Sequence, residues 1–105
     1  MLISKGVSVK NYELEFTTCF ARKYSKLVKH NLELQKQIQT VLLLLQKNPK
    51  LTKLRTHKVK TTKYGLVFSS RVNGDIRIIW NFSESKIIIS LLDIGGHSGK
   101  YCVYK

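Results

Sequence analysis

A two-residue turn signal in the second half of the chain constrains the fold more than any other feature. Asn73-Gly74 separates two runs rich in apolar residues, 66–72 and 75–82. Asn and Gly both tolerate the positive φ of a type I′ turn, whose twist matches that of the two strands of a β-hairpin. The sequence therefore predicts an antiparallel hairpin at this point.

Two further segments have the pattern of strands. Residues 7–16 end in an alternation of apolar and acidic side chains, which is typical of a strand with one buried face. Residues 86–94 are nearly all apolar, as expected of a central strand covered on both faces, and a turn signal at 83–85 precedes them. The sequence therefore predicts an N-terminal strand and a C-terminal meander of three strands.

Between the first strand and the hairpin, the hydrophobic period becomes that of a helix. Two apolar stripes occur at helical spacing: Phe16, Phe20, Tyr24, Leu27 and Val28, then Leu34, Ile38, Val41, Leu42 and Leu45. The second stripe ends at Asn48-Pro49, because the residue before proline disfavours helical dihedral angles. Two helices that form a hairpin are predicted, and one long helix is the alternative. Residues 51–63 are predicted to be a basic connector.

The predicted order of elements is strand, two helices and three strands. This order indicates an α+β fold in which a helical hairpin packs on one face of a four-stranded sheet, with the other face partly open. The chain has 105 residues, of which 43% are hydrophobic, and this is enough for one core. We therefore expect a single domain over residues 1–105.

The charge of the chain indicates its class of partner. It has 19 Lys and Arg residues against 6 Asp and Glu residues, a net charge of +13. An acidic partner would relieve this imbalance: nucleic acid, an anionic membrane or an acidic protein. The longest apolar run, 41–45, is far too short to span a bilayer, and residues 1–10 lack the apolar region of a signal peptide. We expect a cytoplasmic protein without a membrane partner.

The cysteines and histidines form no pattern typical of a metal site or a disulfide framework. Cys19 and Cys102 are the only cysteines, and no Cys-x-x-Cys or Cys/His array is present. Two free thiols in a reducing compartment are expected. Neither a metal nor a cofactor is predicted.

Histidines could support RNA cleavage without a metal, which requires a general base, a general acid and cations around the phosphate. His97 follows Gly95-Gly96 just after a predicted strand, where glycines leave room for a ligand. It is either a functional histidine or an exposed loop residue. His57 lies in the basic connector and could be simply solvated. Tyr101, four residues after His97, could stack on a base or orient a phosphate, or could pack with the C-terminus.

Arg77 is the candidate cation for a phosphate. It lies between Ile76 and Ile78 in a predicted strand, where a charge is unfavourable unless its face is open or binds an anion. The alternative is an ion pair with Asp75 or Asp93. A two-residue turn would place Ser70 opposite Arg77 and turn Arg71 to the other face, whereas a bulge would put both arginines on one face. The sequence leaves this open.

Three segments together resemble the RelE/ParE toxin superfamily of toxin–antitoxin systems. Residues 54–59, Leu-Arg-Thr-His-Lys-Val, are similar to the family's leucine-x-x-histidine-lysine-leucine segment. Residues 71–80 resemble its hairpin, which has an arginine and then glycine-aspartate-tyrosine-arginine before an apolar pair and an aromatic residue. Residues 93–97, with Tyr101, resemble its closing glycine-threonine-histidine segment and aromatic residue. The resemblance covers residues 15–101.

This resemblance implies an mRNA interferase, a metal-independent endoribonuclease that cuts mRNA, usually in the ribosomal A site. The 2′-hydroxyl attacks the adjacent phosphate and leaves a 2′,3′-cyclic phosphate. The implied catalytic residues are His97 and His57 as acid and base, Arg77 and Arg71 around the phosphate, and Tyr101 beside the substrate. The implied RNA-binding residues are Lys53, Lys58, Lys60 and Lys63.

The resemblance also implies partners and alternatives. A cognate acidic antitoxin would block the site, and operator DNA would be contacted only through the antitoxin complex. Ser69 and Ser70 stand where some members carry basic residues, which favours a mechanism with two histidines. A gyrase-inhibiting toxin of the ParE branch is one alternative function. A non-catalytic, basic RNA-binding or ribosome-associated protein is another.

Overall fold

A computed structural model of the chain describes residues 12–83 and 87–96. Within these ranges the elements are, in chain order, β1 (Glu13–Phe16), α1 (Thr18–Val28), α2 (Leu32–Lys47), a short 3₁₀ helix (Thr52–Leu54), β2 (His57–Thr61), β3 (Gly65–Arg71), β4 (Ile76–Phe82) and β5 (Ile88–Gly96). The described helices include none that is long and apolar enough to cross a membrane.

The helical segment forms two helices, as the preferred prediction has it. His30 has a φ of 62°, in the left-handed region, and this interrupts the helical path. Each helix begins at a side chain that accepts a backbone N–H, Thr17 Oγ1 from Phe20 and Asn31 Oδ1 from Leu34. These caps separate α1 from α2 and confirm the helical hairpin.

The strands form one mixed sheet in the order β1-β5-β4-β3-β2. β1 runs parallel to β5, and the other pairs are antiparallel. The sheet has five strands instead of four, because part of the predicted connector is β2. In β2 the lysines at 58 and 60 alternate with Val59 and Thr61, and this charged face made the segment look like a loop.

The main core lies between the helices and one face of the sheet. Buried residues of the helices are Phe20, Leu34, Ile38, Val41 and Leu45, and they form one cluster with Ile76, Ile78, Trp80, Ile89, Leu91 and Ile94 of the sheet. Burial of this apolar surface is the main force that holds the helices on the sheet. We call this side the helix face.

The second face of the sheet, the one opposite the main core, carries its own small cluster. Val67 and Ile79 are buried there against Val59, Tyr64 and Leu92. A bulge in β5 contributes to this face, because residues 79 and 80 pair with residues 93 and 91, and Leu92 is the extra residue. The second face therefore has a packed end near Tyr64.

A chain of hydrogen bonds ties the segment before β2 to the helix face. Thr56 Oγ1 donates to the Pro49 carbonyl at 2.7 Å, so its only proton is used. Ser70 Oγ, 2.6 Å away, must then donate to Thr56 Oγ1. Trp80 Nε1–H donates to Ser70 Oγ at 2.8 Å. Ser70, fully buried, is thus satisfied as part of the core.

We expect Ser70→Ala to lower the free energy of unfolding by about 1–3 kcal/mol, because the buried Trp80 N–H loses its acceptor. Urea denaturation followed by tryptophan fluorescence measures the change. Thr40→Ala is the matched control, since this exposed hydroxyl bonds only to the Lys36 carbonyl on the helix surface. Its effect should stay within about 0.5 kcal/mol. Equal effects of the two substitutions would contradict the role given to Ser70.

Candidate active site

The hairpin between β3 and β4 closes with a three-residue loop. Ser70 pairs with Ile78 and Arg71 pairs with Arg77, and the Val72 N–H donates to the Ile76 carbonyl, so residues 73–75 form the loop. The predicted two-residue type I′ turn at Asn73-Gly74 is wrong. Among the described residues, positive φ values occur at positions 30, 55 and 65 and not at either of these.

The side chain of Asn73 explains this difference. Its Oδ1 accepts the backbone N–H groups of Asp75 and Ile76, both at 2.8 Å. Such a turn, closed by a side chain that bonds to the backbone two residues on, requires no positive φ. The asparagine that suggested a type I′ turn therefore stabilises a longer loop.

This register places Arg71 and Arg77 opposite each other on the same face. Directly opposed residues of antiparallel strands project to one side of the sheet. Ile76 and Ile78, on either side of Arg77, belong to the helix-face core, so the two arginines project from the second face. The alternative with both arginines on one face is the one that the structure adopts, and Ser70 does not face Arg77.

Both guanidinium groups bond to one carbonyl oxygen. Arg71 Nε donates to the Asn73 oxygen at 3.1 Å, and Arg77 Nη1 donates to the same oxygen at 2.7 Å. Arg77 Nη1 also donates to the Ile76 carbonyl at 3.2 Å. Two like charges held at one acceptor repel each other. A phosphate bound between these groups would remove that repulsion.

Asp93 is not the counter-ion of this pair. It is buried, its Oδ1 lies 2.8 Å from Lys23 Nζ, and the same oxygen accepts the Ile94 N–H at 2.9 Å. The ion pair of Asp93 therefore joins β5 to α1. The predicted alternative of an ion pair between Arg77 and Asp93 is therefore wrong.

His57 lies on the same face as the arginines. It pairs with Ser69, two residues before Arg71 in β3, so His57 and Arg71 are diagonal neighbours at roughly 7–8 Å between Cα atoms. The side chain is exposed, and its Nδ1 lies 3.0 Å from the Arg55 carbonyl. Because a carbonyl can only accept, Nδ1 carries the proton, and Nε2 of the neutral ring is left as a base.

The predicted RNA-binding lysines lie on different sides of the sheet. Lys58 and Lys60 pair with Phe68 and Leu66 and project from the helix face at its outer edge. Lys63 lies in the turn between β2 and β3, with Nζ 5.3 Å from the centre of the Tyr64 ring. Lys53 is exposed in the 3₁₀ helix. Of the predicted site residues within 12–83 and 87–96, the two arginines and His57 are brought together, and the lysines lie apart from them.

The C-terminal part of the predicted site lies outside the described residues. His97 and Tyr101 are both in this part of the sequence. The described part of β5 ends beside the arginines, since Gly95 is the cross-strand partner of Arg77. Within residues 12–83 and 87–96, no cluster of three or more His, Cys, Asp or Glu could hold a metal.

Sequence reasoning missed a polar cluster around Tyr64 at the other end of the second face. Its hydroxyl donates to the Leu92 carbonyl at 3.2 Å and lies 3.5 Å from Cys19 Sγ. Burial, together with the hydrogen bond to Cys19, raises the pKa of the Tyr64 hydroxyl. No local signal marks this contact, because it joins residues far apart in the chain.

Because the pKa of Tyr64 is raised in the folded protein, the free energy of unfolding depends on pH in the alkaline range. Above about pH 10 the tyrosine of the unfolded chain loses its proton while the folded protein retains it, so the free energy of unfolding should fall as pH rises. The free energy of unfolding of the Tyr64→Phe variant should fall less steeply between pH 9 and pH 11.5. Parallel urea denaturation series measure both slopes. Identical slopes would show that Tyr64 ionises equally in the two states.

Comparisons with known proteins identify the fold. No sequence-family profile matches the chain, and no curated protein sequence matches it. Solved structures do match. The YoeB/ParE toxin from Agrobacterium tumefaciens has a TM-score of 0.69 at 14% identity, over 82% of this chain and 99% of the other. The archaeal RelE-RelB complex from Pyrococcus horikoshii has a TM-score of 0.64 at 17% identity, over 84% of this chain and 97% of the other. The DinJ-YafQ toxin-antitoxin complex from E. coli has a TM-score of 0.63 at 16% identity, over 83% of this chain and 93% of the other. The chain therefore has the fold of the RelE, YafQ, YoeB and ParE toxins of toxin–antitoxin systems.

Proposed function

We propose that this protein is the toxin of a toxin–antitoxin system and cleaves mRNA on the ribosome as a metal-independent endoribonuclease. The observation that carries the proposal is the pairing of Arg71 with Arg77 on the second face, with His57 as a diagonal neighbour. Two cations beside a histidine base supply two of the three kinds of group that cleavage at a 2′-hydroxyl requires, the third being a general acid. The shared fold agrees with this chemistry.

The proposed reaction begins when His57 Nε2 takes the proton of the 2′-hydroxyl. The 2′-oxygen then bonds to the adjacent phosphorus, and the bond from phosphorus to the 5′-oxygen breaks. His97 donates a proton to that leaving oxygen, which gives a 5′-hydroxyl and a 2′,3′-cyclic phosphate. Arg71 and Arg77 stabilise the extra charge on the phosphate oxygens, because their planar forks remain charged and bind two oxygens at once. Tyr101 orients the nucleotide beside the scissile bond.

The lysines provide a path toward this centre. β2 is an edge strand, with Lys58 and Lys60 on one side of it and His57 on the other. An RNA strand that reaches the arginines around this edge would pass the lysines first. Lys53 and Lys63 extend the positive surface at the two ends of β2. Such phosphate contacts add affinity without reading the base sequence.

The proposed partners follow from the charge and from the solved relatives. The RelE-RelB and DinJ-YafQ structures are complexes of two proteins. A net charge of +13 fits an acidic antitoxin that covers the arginine pair and keeps RNA away. The protein would act in the cytoplasm, where ribosomes translate mRNA, and would contact operator DNA only as part of the antitoxin complex.

Two other functions remain distinguishable by experiment. A gyrase-inhibiting toxin is an alternative because a YoeB/ParE toxin shares the fold. A non-catalytic RNA-binding protein would also fit the +13 charge. The arrangement of Arg71, Arg77 and His57 favours RNA cleavage, because neither alternative has an evident need for a base beside two opposed arginines.

We expect Arg77→Gln to reduce mRNA cleavage by about 10²- to 10³-fold, the usual loss when one group that stabilises developing charge is removed. Arg71→Gln and His57→Gln should lower the rate in the same direction. The purified protein is added to translating ribosomes, and primer extension maps the cuts. Lys47→Gln, an exposed cation at the end of α2, is the control with the same loss of charge and should cut normally.

The outcomes separate the parts of the proposal. If the wild-type protein cuts no mRNA on translating ribosomes, the ribosome-dependent ribonuclease is excluded, and a supercoiling assay then tests the gyrase alternative. If Arg77→Gln cuts as fast as Lys47→Gln, the arginine pair is not the catalytic centre. If His97→Ala cuts at the wild-type rate, the role of that histidine is wrong.

A further inference from the structure

Asn73 makes hydrogen bonds to several parts of the protein at once. Its carbonyl oxygen accepts from Arg71 and from Arg77, and its side-chain oxygen accepts two backbone N–H groups of the loop. Its side-chain nitrogen donates to Gln37 Oε1 of α2 at 3.0 Å. One residue thereby connects the two arginines, the loop and a helix.

The carbonyl oxygen of Asn73 fixes the direction of both guanidinium groups. It binds Arg71 through Nε and Arg77 through Nη1. A guanidinium has five N–H donors in a rigid plane, so one or two bonds to a fixed acceptor orient the plane and leave donors for a phosphate. An arginine without such a bond would have to lose the freedom of its long side chain when substrate binds.

The side chain of Asn73 in turn fixes that carbonyl. The two loop bonds close the turn between β3 and β4, and the bond to Gln37 attaches the turn to the helical hairpin. α2 is itself held by Leu34 and Ile38, which are buried in the main core on either side of Gln37 in the sequence. The position of the carbonyl is therefore determined by the packed core and not by the loop alone.

We infer that Asn73 is a positioning residue for the arginine pair, and that Gln37 of α2 is the anchor that holds it. Asn73 acts through Arg71 and Arg77 and does not itself touch the substrate. This inference rests on the proposed function, since it assigns the two arginines to a phosphate. Under this inference, contacts with α2 help to hold the arginines of the second face in the orientation that binds a phosphate.

Four variants test the inference in the full-length protein. Asn73→Ala should lower kcat for mRNA cleavage by about 10- to 100-fold, the effect of a misplacement near 1 Å, with KM little changed. Gln37→Met should give a smaller loss in the same direction. Asn73→Ser, which can still close the turn through its hydroxyl, should recover part of the rate. Gln39→Met, an exposed neighbour on α2, is the matched control for Gln37→Met.

A second measurement does not depend on activity. Titration with inorganic phosphate, followed by the Nε–H signals of Arg71 and Arg77 in ¹⁵N NMR spectra, should show several-fold weaker binding in Asn73→Ala and Gln37→Met than in the wild type and Gln39→Met. If the wild type cuts no RNA, the proposed function fails, but this titration still decides the inference. Unchanged phosphate affinity and unchanged arginine signals in both variants would overturn it. If Asn73→Ala does not fold, Gln37→Met alone decides.

Discussion

The register of the β3–β4 hairpin determines which side chains this protein can present together. A shift of one residue in the pairing of two strands moves every side chain of one strand to the other face. With a three-residue loop, Arg71 faces Arg77 and the buried residues of β4 face the helices. With the two-residue turn, the arginines would lie on opposite faces. The two bonds from Asn73 Oδ1 to the loop are the local interactions that favour the observed register.

The two faces of the sheet have different roles because of this register. The helix face supplies stability through a large apolar cluster, and the buried polar connection from Trp80 through Ser70 to Thr56 has a partner for each group. The second face has a packed end around Tyr64 and a cationic end at Arg71 and Arg77. Opposed like charges are unfavourable in a sheet, so an anion bound at the cationic end would lower the free energy of the fold. A binding site at this end fits that energetic pattern.

Much of the fold follows from local sequence patterns. The apolar stripes of α1 and α2 and the break at Asn48-Pro49 predict the helical hairpin, and the alternating and apolar runs predict four of the five strands. β2 was missed because Lys58 and Lys60 occupy one face of a short edge strand, where exposure suits charged residues and weakens the apolar pattern. The loop length was wrong because an asparagine can close a turn in two ways, and only the surrounding structure selects one.

The candidate site is less visible in the sequence than the fold. Arg77 could be identified locally, as a charge between buried isoleucines, whereas its partner could not, since the face of Arg71 depends on the register. The contacts of Asn73 with Gln37 and of Tyr64 with Cys19 join residues 36 and 45 positions apart, and no local pattern encodes them. Such contacts depend on how the helices pack on the sheet.

The central claim is that the second face, at Arg71 and Arg77, receives the phosphate that is cleaved. A crystal structure of the protein with a short RNA whose scissile nucleotide is 2′-deoxy, and therefore uncleavable, tests it most directly. The account predicts that the phosphate after the deoxynucleotide contacts both guanidinium groups, with His57 Nε2 beside the 2′ position. An RNA backbone bound along Lys58 and Lys60 on the helix face, with no phosphate at the arginines, would contradict it.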